Sequence, residues 1–156
     1  MENQYYQYID TPVGTLLAAG SEEELFCLSS TKRAQEGWEC RETPALAMAK
    51  AQLKEYFAGR RREFSVPLSP QGTDFQKRVW EELCRIPYGE TRTYGQIAAC
   101  VGNPKASRAV GMANHNNPIM ILIPCHRVIG SSGKLTGYAG GLWMKEKLLE
   151  LEKECK

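Results

Sequence analysis

A chain of 156 residues, 42% apolar and 24% charged, can bury a core of its own without disulfides or metals and has the balance of a soluble globular protein. The net charge of +2 names no partner, but it is unevenly spread: residues 1–72 hold eight Lys and Arg against ten Asp and Glu, and residues 73–156 hold twelve against eight. The first ten residues, MENQYYQYID, lack a basic stretch followed by an apolar run, and the apolar segment Pro118–Pro124 is too short to cross a bilayer, so a cytoplasmic protein without a signal peptide or membrane partner is expected.

The N-terminal third reads as strands. Tyr5 to Ile9 forms a β-prone run, Thr11-Pro12-Val13-Gly14 a turn, and Thr15–Ala19 and Leu25–Leu28 two further short strands. Thr43 as N-cap and Pro44 at the first helical position open a helix with Leu46, Ala49, Leu53 and Tyr56 at helical spacing, and Gly59 ends it. Residues 1–66 are thus expected to form a small sheet-plus-helix lobe, with 67–73 (PLSPQGT) as a linker. The remainder, 74–156, reads as a mainly helical domain. Its first helix runs from about Asp74 to Arg85 and is broken by Pro87-Tyr88-Gly89. Thr93 to Gln96 is a capping-box pattern for a short helix, Tyr94 to Val101, closed by Gly102. Asn103 and Pro104 are placed to start the next, from about Lys105 to Asn114. A last helix spans about Leu142 to Glu154, with Leu142, Leu148, Leu149 and Leu151 as its apolar contacts. The fold class is α/β (α+β), with a helix-turn-helix in the second domain.

Six cysteines are present without a C-x-x-C pair, and the only histidines are His115 and His126, so neither a disulfide framework nor a metal site is expected. The helix after Gly102 is built from Ala106, Ser107, Ala109, Gly111 and Ala113 around one long cation, Arg108. Such a surface fits the narrow minor groove, with Arg108 able to fill the place of an extruded base; tight packing between helices uses the same residues. In Pro118–Ile129 (PIMILIPCHRVI), a thiol and an imidazole are neighbours at Cys125 and His126. An imidazole can take the proton of a thiol, directly or through water. Adjacency alone also describes a buried cysteine ending a core strand, and Glu150, Glu152 and Glu154 are equal candidates to orient the ring. The glycine-rich stretch Gly130–Gly141 reads as a loop that walls a pocket or lies on the surface. By themselves these residues leave open DNA binding without chemistry and cysteine-dependent hydrolysis, the latter without an oxyanion motif.

The combination resembles the methylated-DNA–protein-cysteine methyltransferase family, through Pro124-Cys125-His126-Arg127-Val128, Asn117-Pro118, the segment Gly102–Gly111 (GNPKASRAVG), Ser132-Gly133, Gly137–Gly141 (GYAGG), Lys145-Glu146 and Glu152. The resemblance covers about Thr73 to Glu154. It implies a monomer acting on double-stranded DNA that contains O6-alkylguanine, with no cofactor and no metal. It also implies roles: Cys125 as alkyl acceptor, His126 as its base through a water, Glu152 orienting His126, Asn117 holding the active-site turn, and Tyr94 assisting departure of the flipped guanine. Arg108 would be the finger on a recognition helix that includes Lys105, Ala106, Ser107, Ala109 and Gly111. The main chain of Cys125 and Val128 would read the exocyclic amine, and Tyr138, Ala139 and Gly140 would cover the base. Ala139 stands where some relatives carry serine, and His115 where some carry arginine.

Overall fold

The computed structural model describes residues 3–133, 135, 137, 138 and 140–155. It divides into two compact units, 1–70 and 71–156.

In the first unit, strands β1 (Tyr5–Thr11), β2 (Gly14–Gly20), β3 (Leu25–Ser29) and β4 (Glu39–Cys40) form one sheet in the order β3-β2-β1-β4. β1 and β2 are an antiparallel hairpin, with Ile9 opposite Leu16 and Tyr8 opposite Leu17. The two-residue strand β4 pairs parallel to β1 and was not legible in the sequence, since Glu39 and Cys40 are both exposed. Helix α1 (Pro44–Phe57) starts as its sequence predicts: the Thr43 hydroxyl accepts from Leu46 N at 3.2 Å behind Pro44. Its buried stripe, Leu46, Ala49, Leu53 and Tyr56, packs on β1 and β2. Because side chains alternate along a strand, Leu17, Ala19 and Cys27 face the other way, where Tyr6, Phe26, Ala34 and Trp38 cover them. The segment expected as a linker is divided: Pro67 O accepts from Leu25 N and Ser69 N donates to Leu25 O, each at 2.9 Å, so these residues extend the first unit, whereas Thr73 caps the next helix.

The second unit contains α2 (Asp74–Cys84), β5 (Arg92–Thr93), α3 (Tyr94–Cys100), α4 (Ser107–His115), a 3-10 turn (Cys125–Arg127), β6 (Val128–Ile129) and α5 (Leu142–Glu154). The Thr93–Gln96 capping box is present in both directions, at 2.8 and 3.1 Å, and a second one joins Thr73 and Gln76. Gly102 carries φ +85 between α3 and α4, a conformation costly for any residue with a Cβ. The expected start of α4 is corrected. Asn103 O accepts from Ala106 N at 2.9 Å and its side chain accepts from Lys105 N at 3.3 Å, so Asn103–Ala106 is a hydrogen-bonded turn with Pro104 at its second position. Ala106 takes the N-cap position and Lys105 lies outside the helix. Trp80 on α2 donates its indole N–H to Ala113 O at 2.8 Å and Arg78 donates to Val101 O, which fixes α2 against both helices of the helix-turn-helix. Among the described residues, no helix is long and apolar enough to cross a membrane.

Candidate active site

The thiol-bearing segment is not the end of a core strand. Asn117 closes it as a loop: its amide oxygen accepts from Ile119 N at 3.0 Å and its amide nitrogen donates to Ile123 O at 2.7 Å. Inside this clasp Ile121 has φ +71, a conformation that β-branched residues avoid, and Leu122 N donates to Met120 O at 2.8 Å across it. At Pro124 (φ −78, ψ 64) the chain makes an inverse γ-turn, with Cys125 N donating to Ile123 O at 2.7 Å. Two tight turns therefore deliver Cys125 to the head of the 3-10 turn. Asn117→Ala should lower stability by about 1–3 kcal/mol for each backbone group left unpaired, measured by urea unfolding. A change within error would show that water replaces the clasp.

Residues 125–127 are all buried. His126 Nε2 lies 2.6 Å from Glu152 Oε2. Arg127 donates to the same carboxylate from Nε at 2.8 Å and Nη2 at 3.0 Å, and to Ile86 O from Nη1 at 2.7 Å. Gly89 N adds a fourth donor to Glu152 at 3.2 Å. Burial pushes the Glu152 carboxyl up, but hydrogen bonds from His126 and Arg127 and the charge of Arg127 outweigh it and hold the group far below the usual carboxylate range. Burial pushes the imidazole down, and the opposing pull of Glu152 is reduced by the charges of Arg127 and Lys145, so His126 is neutral at rest. Burial likewise raises the Cys125 thiol, against hydrogen bonding by Asn117 and Tyr138 and the charge of Lys145. The resting site is thus a protonated thiol beside a neutral base whose outer nitrogen is anchored.

The other expected residues are distributed as follows. β5 and β6 pair in parallel, Thr93 opposite Ile129, which ties the residue before Tyr94 to the strand that follows the Cys125 turn. The Tyr94 ring lies against Gly111 of α4, 3.9 Å from where a Cβ would stand. Arg108 and Ala109 are exposed on α4, Lys105 on the preceding turn, and Ala106 and Ser107 are half-buried. Val128 and Tyr138 are buried and Gly140 is half-buried, while Ala139 lies outside the described residues. His115 ends α4 on its exposed side.

Among the three glutamates, the structure selects Glu152: it is buried, whereas Glu150 and Glu154 are exposed. The expected apolar face of α5 needs correction. Leu142 is 49% exposed, Leu149 and Leu151 are only partly buried, and the buried positions are Met144, Lys145, Leu148 and Glu152. Three polar groups were missed as parts of the site: Arg127, Lys145, whose ammonium donates to Val128 O at 2.6 Å, and Asn114, whose amide donates to Cys125 O at 3.4 Å.

Residues 74–154 match the family described as 6-O-methylguanine DNA methyltransferase, DNA binding domain, and residues 4–70 match its ribonuclease-like domain. The chain belongs to the 6-O-methylguanine DNA methyltransferase family. A methylated-DNA–protein-cysteine methyltransferase of Methanosarcina acetivorans is 53% identical over 97% of this chain and 99% of its own. The constitutive one of Bacillus subtilis is 50% identical over 96% and 95%. The crystal structure of Mycobacterium tuberculosis OGT in complex with DNA matches with a TM-score of 0.91 and 52% identity, covering 97% of this chain and 94% of that one. The family's DNA-binding domain contains every group of the site described above, so DNA is the partner of this unit.

Proposed function

We propose that this member of the family repairs O6-methylguanine, and other O6-alkylguanines, in double-stranded DNA by moving the alkyl group onto Cys125 once and irreversibly. The observation that carries this reading is the buried Cys125–His126–Glu152 series, with His126 Nε2 2.6 Å from the Glu152 carboxylate.

The alkyl carbon is attacked in line by sulfur. The S–C bond forms as the C–O6 bond breaks, and the electron pair goes to guanine. The thiol proton passes through a water to His126 Nδ1, a buried atom with no partner among the described residues. Glu152 stabilises the imidazolium that forms. The Tyr94 hydroxyl supplies a proton to the departing guanine. The product is a thioether, which thiol exchange does not reverse, so each chain reacts once. The bond changes balance without a cofactor or metal.

A stacked base cannot reach a buried thiol, so the nucleotide must first leave the duplex. The small face of α4 enters the minor groove and Arg108 fills the gap. The main-chain groups of Cys125 and Val128 read the exocyclic amine; the Cys125 carbonyl is held by Asn114 and by Val128 N, and the Val128 carbonyl by Lys145. Tyr138 and Gly140 cover the base. All these groups lie in one chain, which supports action as a monomer.

Intact-protein mass after incubation with a duplex carrying one O6-methylguanine tests the reading. One added methyl per protein, mapped to the Cys125 peptide, is expected; an unchanged mass with folded protein bound to the duplex would replace it with lesion binding alone. Arg108→Ala should slow transfer more than it weakens binding to undamaged duplex, because a finger holds the extruded state whereas general affinity comes largely from phosphate contacts. Equal losses in single-turnover rate and in affinity would remove the finger role.

A further inference from the structure

Among the described residues, two buried side-chain acceptors beside the nucleophile have no partner: His126 Nδ1 and Asn114 Oδ1. Asn114 is 4% exposed and His126 fully buried. The Asn114 amide nitrogen donates at 3.4 Å to the carbonyl of Cys125, the oxygen of the peptide bond that joins Cys125 to His126. That bond fixes the amide's orientation, since exchanging its ends would turn oxygen toward oxygen. Both acceptors therefore stand within one side chain's reach of a single peptide bond, and the Cys125 thiol springs from the residue on its near side.

We propose that Asn114 is a positioning residue that holds the proton-relay water between Cys125 and His126. The inference rests on the alkyl-transfer reading above and adds a member to its site. A water has two hydrogens. One is donated to His126 Nδ1 and the other to Asn114 Oδ1, which turns the water's lone pairs toward the thiol. Its three partners, the two acceptors and the thiol, are the usual number for a buried water. In the transfer step the thiol proton moves to the water oxygen and the water's own hydrogen moves to His126 Nδ1. The bond to Asn114 is kept throughout, so the water does not rotate between receiving and delivering. α4 thus presents Arg108 on its exposed side and Asn114 on its buried side, and couples the DNA-facing helix to activation of the thiol.

The test separates this role from the amide's bond to the Cys125 carbonyl. Asn114→Leu removes both interactions; Asn114→Asp keeps the acceptor, loses the donor and adds a negative charge. Two readouts are taken on the full chain: methyl transfer from an O6-methylguanine duplex, and the pH dependence of Cys125 alkylation by iodoacetamide without DNA, followed on the Cys125 peptide. Misplacing a reacting group by an ångström costs about 100-fold, and Asn114→Leu should slow transfer by roughly 10- to 100-fold while binding undamaged duplex normally. Asn114→Asp should move the alkylation profile to higher pH, because an added negative charge near the relay raises the proton affinity of thiol and imidazole. It should recover transfer at high pH. If Asn114→Leu does not fold, the Asp variant, nearly identical in shape, carries the test alone. Wild-type rates in Asn114→Leu, or an Asp variant with an unmoved profile, would overturn the proposal. Wild-type protein is carried in parallel: its failure to accept a methyl group overturns the alkyl-transfer reading itself, a different result from transfer that ignores Asn114.

Discussion

A Cys125→Ala protein is expected to take up no methyl group from an O6-methylguanine duplex, at any protein excess and at any time, while binding that duplex as tightly as wild type or more so. Sulfur is the strongest nucleophile in the Cys125–His126–Glu152 series and holds the alkyl group as a thioether. The neighbouring imidazole is anchored through Nε2 to Glu152 at 2.6 Å and cannot turn outward to replace it. Alanine removes one buried atom and leaves the turns before it intact, because Cys125 N donates to Ile123 O through the main chain. A cavity of that size costs on the order of 1 kcal/mol, so the folded state and the α4 surface persist. Lesion binding without release then gives a stable complex. Electrospray mass and a gel-shift titration read the two parts separately. Methylation that persists in Cys125→Ala would move the acceptor to another cysteine, with exposed Cys100 at the end of α3 the first to examine.

The parts of the fold that were legible in the sequence are those whose signal is local. Thr43-Pro44 and the Thr93–Gln96 box place helix starts through bonds that span three residues, and the structure has them where the sequence put them. The start of α4 was misplaced because Asn103-Pro104 serves a turn as readily as a helix cap, and only the bond from Ala106 N to Asn103 O decides between them. β4, β5 and β6 are two residues long and owe their existence to distant partners. The site divides in the same way. Cys125 and His126 stand out in a short motif, but the choice of Glu152 over its neighbours depends on which face of α5 is buried. Apolar spacing placed Leu148 correctly and missed the rest of the buried face, because two of the four buried positions, Lys145 and Glu152, are charged. A buried charge has no hydrophobic signature. Its partners, Val128 O for Lys145 and His126 and Arg127 for Glu152, lie 17 or more residues away. Asn114 escaped for a related reason: a polar residue on the buried side of α4 has the same local signature as the exposed Asn116.

Glu152→Gln should be the most damaging substitution that leaves the nucleophile in place. In the wild type, Glu152 balances the buried Arg127 guanidinium and accepts from His126, Arg127 and Gly89. A carboxamide of the same shape removes the charge and leaves Arg127 buried without a counter-ion; breaking such a pair from one side costs about 3–5 kcal/mol. It also turns an N–H toward His126 Nε2, which forces the ring's hydrogen to Nδ1 and takes away the lone pair that would receive the thiol proton. The comparable tautomer switch in a serine-protease triad lowers the rate about 10⁴-fold, and a loss of similar order in single-turnover methyl transfer is expected here. The pH dependence of stability separates the two effects. His126 is lowered in the folded state, so its contribution is complete above the unfolded value of about 6.5 and is lost as pH falls and the unfolded ring takes up a proton. Glu152 is also lowered, so its contribution is complete above about 4.3 and is lost as pH falls further. Urea unfolding across pH 8 to 4 should therefore show wild-type stability declining first below about 6.5 and more steeply below about 4.3. In Glu152→Gln the second decline should be shallower while the first is kept, because the variant retains a buried neutral imidazole and no longer has the carboxylate that pulled its proton affinity up. Parallel curves below 4.3 would mean that the carboxyl is not held ionised by Arg127 and that the tautomer effect alone accounts for any loss of transfer.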